Sequence, residues 1–157
     1  MSLHQETHLN PGDKLKLVNY ITYRTDRLTH HSGGTSLLIR NSVDHYPTSI
    51  ASDSFENTTI AIILPNSQQI TVSSIYRPPH GIISTDELNR IFDSNTKCIA
   101  IGDFNAKHSA WSLGRCNQNG NIINDYRVYS RTTVWVGSVS PFDRGTLMAF
   151  TRPKEGV

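Results

Sequence analysis

The stretch Cys98-Ile99-Ala100-Ile101-Gly102-Asp103-Phe104-Asn105-Ala106-Lys107-His108-Ser109-Ala110-Trp111 decides how the rest of the chain is interpreted. Its four apolar residues predict a short strand that is buried on both faces and interrupted at Gly102. Because side chains alternate along an extended chain, the Asp103 carboxylate and the Asn105 carboxamide are expected to converge on one side. Such a pair suits phosphoester chemistry, since the acid can orient a water or hold a metal and the amide can donate to a phosphate oxygen. The alternative is a strand that simply ends in an Asx turn.

The composition describes one soluble domain. The chain has 157 residues, of which 36% are hydrophobic and 18% are charged. No apolar run approaches the ~20 residues that a membrane helix needs, and the opening residues lack the pattern of a secretory signal. We therefore expect no membrane partner. A net charge of +2 permits a nucleic-acid partner without requiring one.

The cysteine and histidine residues do not predict a metal centre. Cys98 lies in the buried run and Cys116 in a polar stretch, which predicts free thiols in a reducing, intracellular compartment. No cluster of Cys and His has the spacing of a zinc site. His30 and His31 are adjacent on a polar loop, where neighbouring side chains do not converge, so we interpret them as solvated.

Hydrophobic periodicity predicts a strand-rich α/β protein. Strands are predicted over residues 14–24, 35–40, 58–64 and 69–76, the last two as a hairpin. In the last strand, Tyr76 shares a face with Val72 and Ser74 and would bring its hydroxyl to the strand end. Two prolines then stop that strand, because neither can donate to the ladder.

Two helices are predicted in the second half of the chain. Ser84-Thr85-Asp86-Glu87 has the spacing of a capping box and begins a helix over residues 85–93. Apolar residues between 122 and 129 recur at helical intervals and predict the second. Residues 41–57 are mostly polar, and Asp44-His45 within them is interpreted as a polar loop. From Arg131 onward, glycine and proline leave little room for regular structure, although residues 134–136 have the composition of a strand.

Five short blocks in a fixed order resemble a known family. They are Gln5-Glu6-Thr7-His8-Leu9, Gly33-Gly34, Ile75-Tyr76-Arg77-Pro78-Pro79, Gly102 to Trp111, and Asn119-Gly120 before a helix. Together they resemble the endonuclease domain of non-LTR retrotransposons of the jockey kind. This family belongs to the endonuclease/exonuclease/phosphatase superfamily, so the resemblance implies the DNase I-like fold, a four-layer α/β/β/α sandwich. The extension from Ala106 to Trp111 favours the retroelement branch over the phosphatase and base-excision-repair branches.

The resemblance implies a role for each matched site residue. Glu6 corresponds to the family's metal-binding carboxylate, which would hold Mg2+, or Mn2+ as an alternative, against a phosphate oxygen. Asp103 corresponds to the acid that orients the attacking water and Asn105 to the amide that helps to hold the scissile phosphate. Tyr76 corresponds to a strand-end tyrosine that hydrogen-bonds in the same site. The resemblance implies no small-molecule cofactor.

Two further residues are candidates for contact with DNA. Arg77 would meet the backbone or, alternatively, form a structural salt bridge. His108 would lie against DNA or, together with Trp111, shape the loop beside the site. The implied reaction is hydrolysis of a DNA phosphodiester that nicks one strand and leaves a 3′ hydroxyl. The resemblance also implies DNA as the partner, a reverse transcriptase domain in the parent element, and a nuclear location.

The chain departs from the family pattern at both ends. The family begins with a strand that ends in an asparagine, and this sequence starts just after its position; Asn10 follows Glu6 and cannot replace that asparagine. The family ends with strands that carry an aspartate and a Ser-Asp-His block, whereas residues 127–157 contain no histidine. Asp44-His45 lies too early in the chain to be that block.

We therefore expect an incomplete sandwich. The partial endonuclease domain is placed over residues 1–130, and residues 131–157 form a divergent C-terminal tail of uncertain structure. Two other functions remain open. One is an inactive remnant that at most binds nucleic acid or a partner, and the other is a phosphatase that acts on small phosphoesters.

Overall fold

The computed structural model describes residues 1–5, 13–26, 33–93, 97–111, 114–130, 133–138 and 146–153. In chain order these residues form β1 (Ser2–Gln5), β2 (Tyr20–Thr25), β3 (Thr35–Arg40), β4 (His45–Thr48), β5 (Glu56–Ile63), β6 (Gln69–Tyr76), α1 (Thr85–Phe92), β7 (Lys97–Asp103), α2 (Gln118–Ser130), β8 (Thr133–Ser138) and β9 (Thr146–Pro153). Neither described helix is long and apolar enough to cross a membrane.

The strands form a small sheet and a large sheet. The small sheet has the order β1-β3-β2, and the large sheet has the order β4-β5-β6-β7-β9-β8. Strands β6 and β7 are parallel, whereas the other neighbours are antiparallel. Parallel neighbours need a long crossover, which α1 supplies. The pair β6 and β7 therefore ends at the same edge of the large sheet.

Two apolar clusters separate three layers. The cluster between the sheets contains Leu37, Ile39, Ile60 and Val72, with Ile99 packed against it. The other cluster joins the large sheet to both helices and contains Ile75, Ala100, Leu88, Phe92, Phe104 and Ile123, among others. The α/β class and the stacked sheets are thus confirmed, and the described residues supply three of the four predicted layers.

Strand β7 has the predicted character. Cys98 and Ala100 pack towards the helices, whereas Ile99 packs towards the small sheet, so the strand is covered on both faces. The strands over residues 35–40 and the hairpin of β5 and β6 are also confirmed. Both cysteines are free, with Cys98 buried and Cys116 exposed. His30 and His31 lie outside the described residues.

Three local predictions are wrong for identifiable reasons. The strand predicted over residues 14–24 begins only at Tyr20, because a turn precedes it and Asn19 has a left-handed φ of 65°. The Asp44-His45 segment is not all loop, since β4 begins at His45. That strand lies at the edge of its sheet, where Pro47 is tolerated.

The third correction concerns the C-terminal residues. Strand β8 contains residues 134–136, whose strand composition is thereby confirmed. Strand β9 lies where little regular structure was expected and pairs with the whole of β7, from Lys97 opposite Pro153 to Asp103 opposite Leu147. Pro153 is the last residue of its strand, a position that a sheet tolerates. The glycines and prolines of this segment therefore suggested more irregularity than the chain has.

Helix α1 begins as predicted but without a complete capping box. The Ser84 hydroxyl accepts from the amide of Asp86 at 3.2 Å. The Glu87 carboxylate, however, points to the loop before β5 and accepts from the amides of Asp53 and Ser54 and from the Ser52 hydroxyl. Glu87 thus ties α1 to a neighbouring loop.

Candidate active site

Three neighbouring strands of the large sheet carry a row of polar residues at one edge. Glu56 pairs with Tyr76, and Tyr76 pairs with Asp103. Directly paired residues share a face, and neighbouring strands lie ~4.8 Å apart. We call Glu56, Tyr76 and Asp103 the rim row. Tyr76 is buried, and both carboxylates are half-buried.

The rim row faces the small sheet. Val72 lies four residues before Tyr76 and Ile99 four residues before Asp103, and both pack in the cluster between the sheets. Because the side-chain period of a strand is two, Tyr76 and Asp103 lie on the same face as these residues. The space between the sheets is therefore apolar in its depth and polar at the rim.

The small sheet approaches the rim at Gly34 and Thr35. The Gly34 amide donates to Glu56 Oε2 at 2.6 Å, and the hydroxyls of Thr35 and Thr58 share a hydrogen bond of 2.8 Å. Thr35 also pairs with Gln5, the last residue of β1. Strand β1 therefore ends at the same rim. Glu6 follows next but lies outside the described residues, so its metal-binding role stays a prediction.

The turn after β7 joins the predicted acid and amide. The Asn105 amide donates to Asp103 Oδ1 at 2.8 Å, and Asn105 has a left-handed φ of 45°. This is an Asx turn, as the alternative interpretation of the sequence predicted. The convergence of the Asp103 carboxylate and the Asn105 carboxamide on a phosphate stays a prediction. Asn105 Nδ2 donates to the Arg77 carbonyl at 2.7 Å and, because it carries two hydrogens, keeps a second donor.

Arg77 lies beneath the site. Its side chain is 0% exposed, and alternation from Tyr76 directs it to the opposite face of the sheet. Nη2 donates to the carbonyls of His80 and Gly81, whereas Nε and Nη1 are buried without a hydrogen-bond partner among the described residues. Burial lowers the pKa of Arg77, and the charge of Asp103 partly opposes this. The predicted contact with DNA is not supported, because the guanidinium has no exposed surface.

His108 and Trp111 form the loop beside the site. Their rings lie 5.0 Å apart, and Trp111 Nε1 donates to the Ala106 carbonyl at 3.1 Å. The amide of Ala110 donates to His108 Nδ1 at 3.1 Å. These contacts support the loop-shaping interpretation of both residues. Contact of His108 with DNA stays a prediction.

Asn117 was not among the predicted residues, yet it holds the same loop. Its Oδ1 accepts from the amides of Lys107 at 2.9 Å and Gly120 at 2.8 Å, and its Nδ2 donates to the Asn105 carbonyl at 2.9 Å. Asn117 therefore caps α2 and fixes the turn that carries Asn105. An asparagine directly before a helix is the signal that could have identified it.

Gly120 explains why α2 can lie so close to this loop. A Cβ at this position would lie 1.9 Å from the Lys107 carbonyl oxygen. Only glycine allows that approach. The Asn119-Gly120 block also ties α2 to the segment after β6, since Asn119 Oδ1 accepts from the Ile83 amide at 2.9 Å.

Comparison with known proteins finds relatives among the polymerases of retrotransposons. Residues 70–134 match the family described as endonuclease-reverse transcriptase. The probable RNA-directed DNA polymerase from transposon X-element of Drosophila melanogaster is 32% identical over 121 residues, which cover 75% of this chain and 13% of that protein. The RNA-directed DNA polymerase from mobile element jockey of the same species is 27% identical over 125 residues, which cover 78% and 14%. The chain thus spans only a small part of these curated relatives.

A solved structure shares the fold. The endonuclease domain of TRAS1, a telomere-specific non-LTR retrotransposon, superposes with a TM-score of 0.64 over 87% of this chain and 80% of that one, at 12% identity. At this identity the likeness shows the fold alone. The sequence relatives, the matched family and the shared fold together identify the chain as an endonuclease domain of the non-LTR retrotransposon family.

Proposed function

We propose that the chain is a metal-dependent DNA endonuclease that hydrolyses a phosphodiester, nicks one strand and leaves a 3′ hydroxyl. The observation that carries this proposal is the juxtaposition of Tyr76 and Asp103 on adjacent parallel strand ends, with Asn105 joined to Asp103 by an Asx turn. A carboxylate and a phenol on neighbouring strand ends, with a carboxamide two residues further along the chain, suit attack on a phosphate.

The described residues contain no group of three or more His, Cys, Asp or Glu side chains that could hold a metal ion, so the rim offers a cation only a few carboxylate and amide oxygens. Carboxylate and amide oxygens are the ligands that Mg2+ prefers, and it usually takes one or two carboxylates and leaves its other positions to water and phosphate. Glu6 would hold the ion. When bound, Mg2+ would stabilise negative charge on the phosphate oxygens.

The remaining roles follow from the chemistry of each side chain. Asp103 would orient the attacking water and accept its proton as a general base. The Tyr76 hydroxyl and the second hydrogen of Asn105 Nδ2 would donate to phosphate oxygens. Donors of this kind strengthen as charge develops in the transition state.

The loop between β7 and α2 is the surface on which we place the DNA backbone. Lys107 and Arg115 are exposed there, and His108 lies between them in sequence. Contacts of cations with phosphates weaken as salt rises. From the names of the relatives we extend the proposal to a reverse transcriptase domain in the parent element, and with it to a nuclear location.

One observation favours the inactive remnant as a second candidate. On the side of β7 away from β6, Asp103 pairs with Leu147 of β9. Neither β8 nor β9 contains an acid or a histidine in its sequence. The rim row therefore does not continue into these two strands, and loss of a group that moves a proton typically costs about 10²- to 10⁴-fold in rate.

Nicking of supercoiled plasmid separates the two candidates. We expect the wild-type chain to nick in the presence of Mg2+ and both Glu6→Ala and Asp103→Ala to lose the activity. Asp125→Ala, which removes an exposed carboxylate on α2, is the matched control and should nick normally. Nicking that survives both site substitutions, or that needs no metal, would contradict the proposal. A wild-type chain that folds and does not nick would support the remnant.

A further inference from the structure

Glu56 is a carboxylate of the rim row to which the resemblance assigns no role. It is the first residue of β5 and pairs with Tyr76. Its Oε2 accepts from the amide of Gly34, 22 residues earlier in the chain, at 2.6 Å. The bond crosses from the large sheet to the small one. A hydrogen bond with a charged acceptor is roughly twice as strong as a neutral one.

The group that Glu56 holds is the turn that leads into the small sheet. Gly33 and Gly34 have φ values of 109° and 84°, in the region that favours glycine, and both are buried. The next residue, Thr35, pairs with Gln5 of β1 on one side and with Thr25 of β2 on the other. An anchor at Gly34 therefore fixes the ends of all three strands of the small sheet.

Uncharged hydrogen bonds also join the small sheet to β5, one and two residues further along that strand than Glu56. Thr58 Oγ1 donates to the Thr35 carbonyl at 2.9 Å, and Thr25 Oγ1 donates to the Asn57 carbonyl at 2.8 Å. Thr58 lies two residues after Glu56 on the same face of β5. Of the hydrogen bonds described between these strand ends, the bond from Gly34 to Glu56 lies in the same row as Tyr76 and Asp103.

We propose that Glu56 is a positioning residue of the active site, whose carboxylate sets the separation between the end of β1 and the Tyr76–Asp103 pair. The consequence for catalysis rests on the proposed function, because Glu6 directly follows the last residue of β1. A displacement of about 1 Å in a reacting group can cost about 10²-fold in rate. The consequence for structure does not rest on it.

Glu56→Gln, which removes the charge but keeps the hydrogen-bond acceptor, distinguishes a positioning role from a catalytic one. Glu56→Gln keeps an oxygen that can accept from the Gly34 amide, whereas Glu56→Ala removes it. If Glu56 acted through its charge, on a metal or a proton, both variants would fail alike. Asp125→Ala, an exposed carboxylate far along the chain, is the control.

The experiment combines amide hydrogen exchange with plasmid nicking on the full chain. In Glu56→Ala we expect exchange at Gly34 and in β1 to rise about tenfold or more, while Ile60 and Val72 in the centre of the β5–β6 ladder keep their protection. In Glu56→Gln we expect a rise of less than about threefold. Nicking should fall about tenfold or more in Glu56→Ala and return to within about threefold of wild type in Glu56→Gln. If Glu56→Ala does not fold, Glu56→Asp, which is one methylene shorter, replaces it.

The two readouts separate failure of this proposal from failure of the proposed function. Unchanged exchange at Gly34 and in β1 in Glu56→Ala would overturn the positioning role whatever the activity. Equal loss of nicking in Glu56→Ala and Glu56→Gln, with exchange preserved in Glu56→Gln, would overturn it in favour of a catalytic charge. If the wild type does not nick, the proposed function fails, and the exchange pattern alone still decides whether Glu56 holds the two sheets together.

Discussion

The two faces of the β6–β7 pair carry different chemistry on alternate residues of the same strands. The helix face, formed by Ile75, Arg77, Ala100 and Gly102, lies under α1 and α2 and is fully buried. The cleft face, formed by Ser74, Tyr76, Ile101 and Asp103, lies towards the small sheet and becomes polar at the rim. The difference shows how a side-chain period of two lets one strand supply both a rigid layer and a reactive edge.

The largest expected loss of stability comes from the helix face at Gly102. A Cβ at this position would lie 1.7 Å from the Ile75 carbonyl oxygen, which is backbone and cannot move without separating β6 from β7. We expect Gly102→Ala to cost more than about 4 kcal/mol, enough to unfold a marginal domain. Urea denaturation measures this, with Ile101→Val on the cleft face of the same strand as the control at about 1 kcal/mol. Equal urea midpoints for Gly102→Ala and Ile101→Val would contradict the claim that the helix face is the rigid one.

Arg77 should give the next largest loss. Arg77→Ala removes the Nη2 bonds to the carbonyls of His80 and Gly81 and leaves a cavity, and we expect a cost of about 3 kcal/mol. Arg77→Met fills much of the volume and carries none of the buried donors that lack a partner, so it should cost less than Arg77→Ala. Unfolding midpoints in urea test the order. A larger loss in Arg77→Met would show that the charge itself is needed beneath Asp103.

Glu87 gives a smaller, pH-dependent loss. Burial alone would raise its pKa, but hydrogen bonds from Ser52, Ser54 and Asp53 outweigh this and lower the pKa from 4.5 to about 2. The unfolded chain therefore binds the proton more readily, so this stabilisation is present above about pH 4.5 and is lost as pH falls towards 2. We expect Glu87→Gln to lose about 2 kcal/mol at pH 7 and little at pH 2.

Free energies of unfolding from pH 7 to pH 2 test the Glu87 prediction. The wild-type and Glu87→Gln curves should converge on acidification. Asp125→Asn, at an exposed carboxylate, serves as the control and should run parallel to wild type throughout. A constant gap between wild type and Glu87→Gln would contradict the depressed pKa.

The sequence predicted the elements that have strong local signals. The alternation in β6, the β-branched composition of β5 and the apolar run of β7 were sufficient, and so was the Ser84 cap of α1. Strand β9 escaped prediction because glycine and proline near its ends outweighed its apolar composition. Its place beside β7 depends on long-range pairing, which no local pattern encodes.

In the candidate site, too, local sequence signals identified some residues, whereas others depend on contacts that form only on folding. Tyr76, Asp103 and Asn105 could be identified because each stands at a strand end within a recognisable block. Glu56 could not, because its role depends on Gly34, a partner that becomes a neighbour only when the chain folds. The position of Asn117 directly before a helix indicates a cap, but its bond to the Lys107 amide has no signal in the sequence. The burial of Arg77 was likewise invisible in sequence, where a charged residue after a strand suggests a surface.

The most direct test of the central claim is Asp103→Asn, with nicking rate and unfolding free energy measured on the same preparation. This change keeps an oxygen that can accept from the Asn105 amide but removes the charge beside the buried Arg77, so we expect a folded variant that loses no more than about 2 kcal/mol of stability. It removes the carboxylate that the cleft face supplies for chemistry, so we expect nicking in Mg2+ to fall by about 10²- to 10⁴-fold. A folded variant that has lost nicking would confirm that the cleft face supplies the chemistry and the helix face the stability. Nicking at the wild-type rate would contradict it.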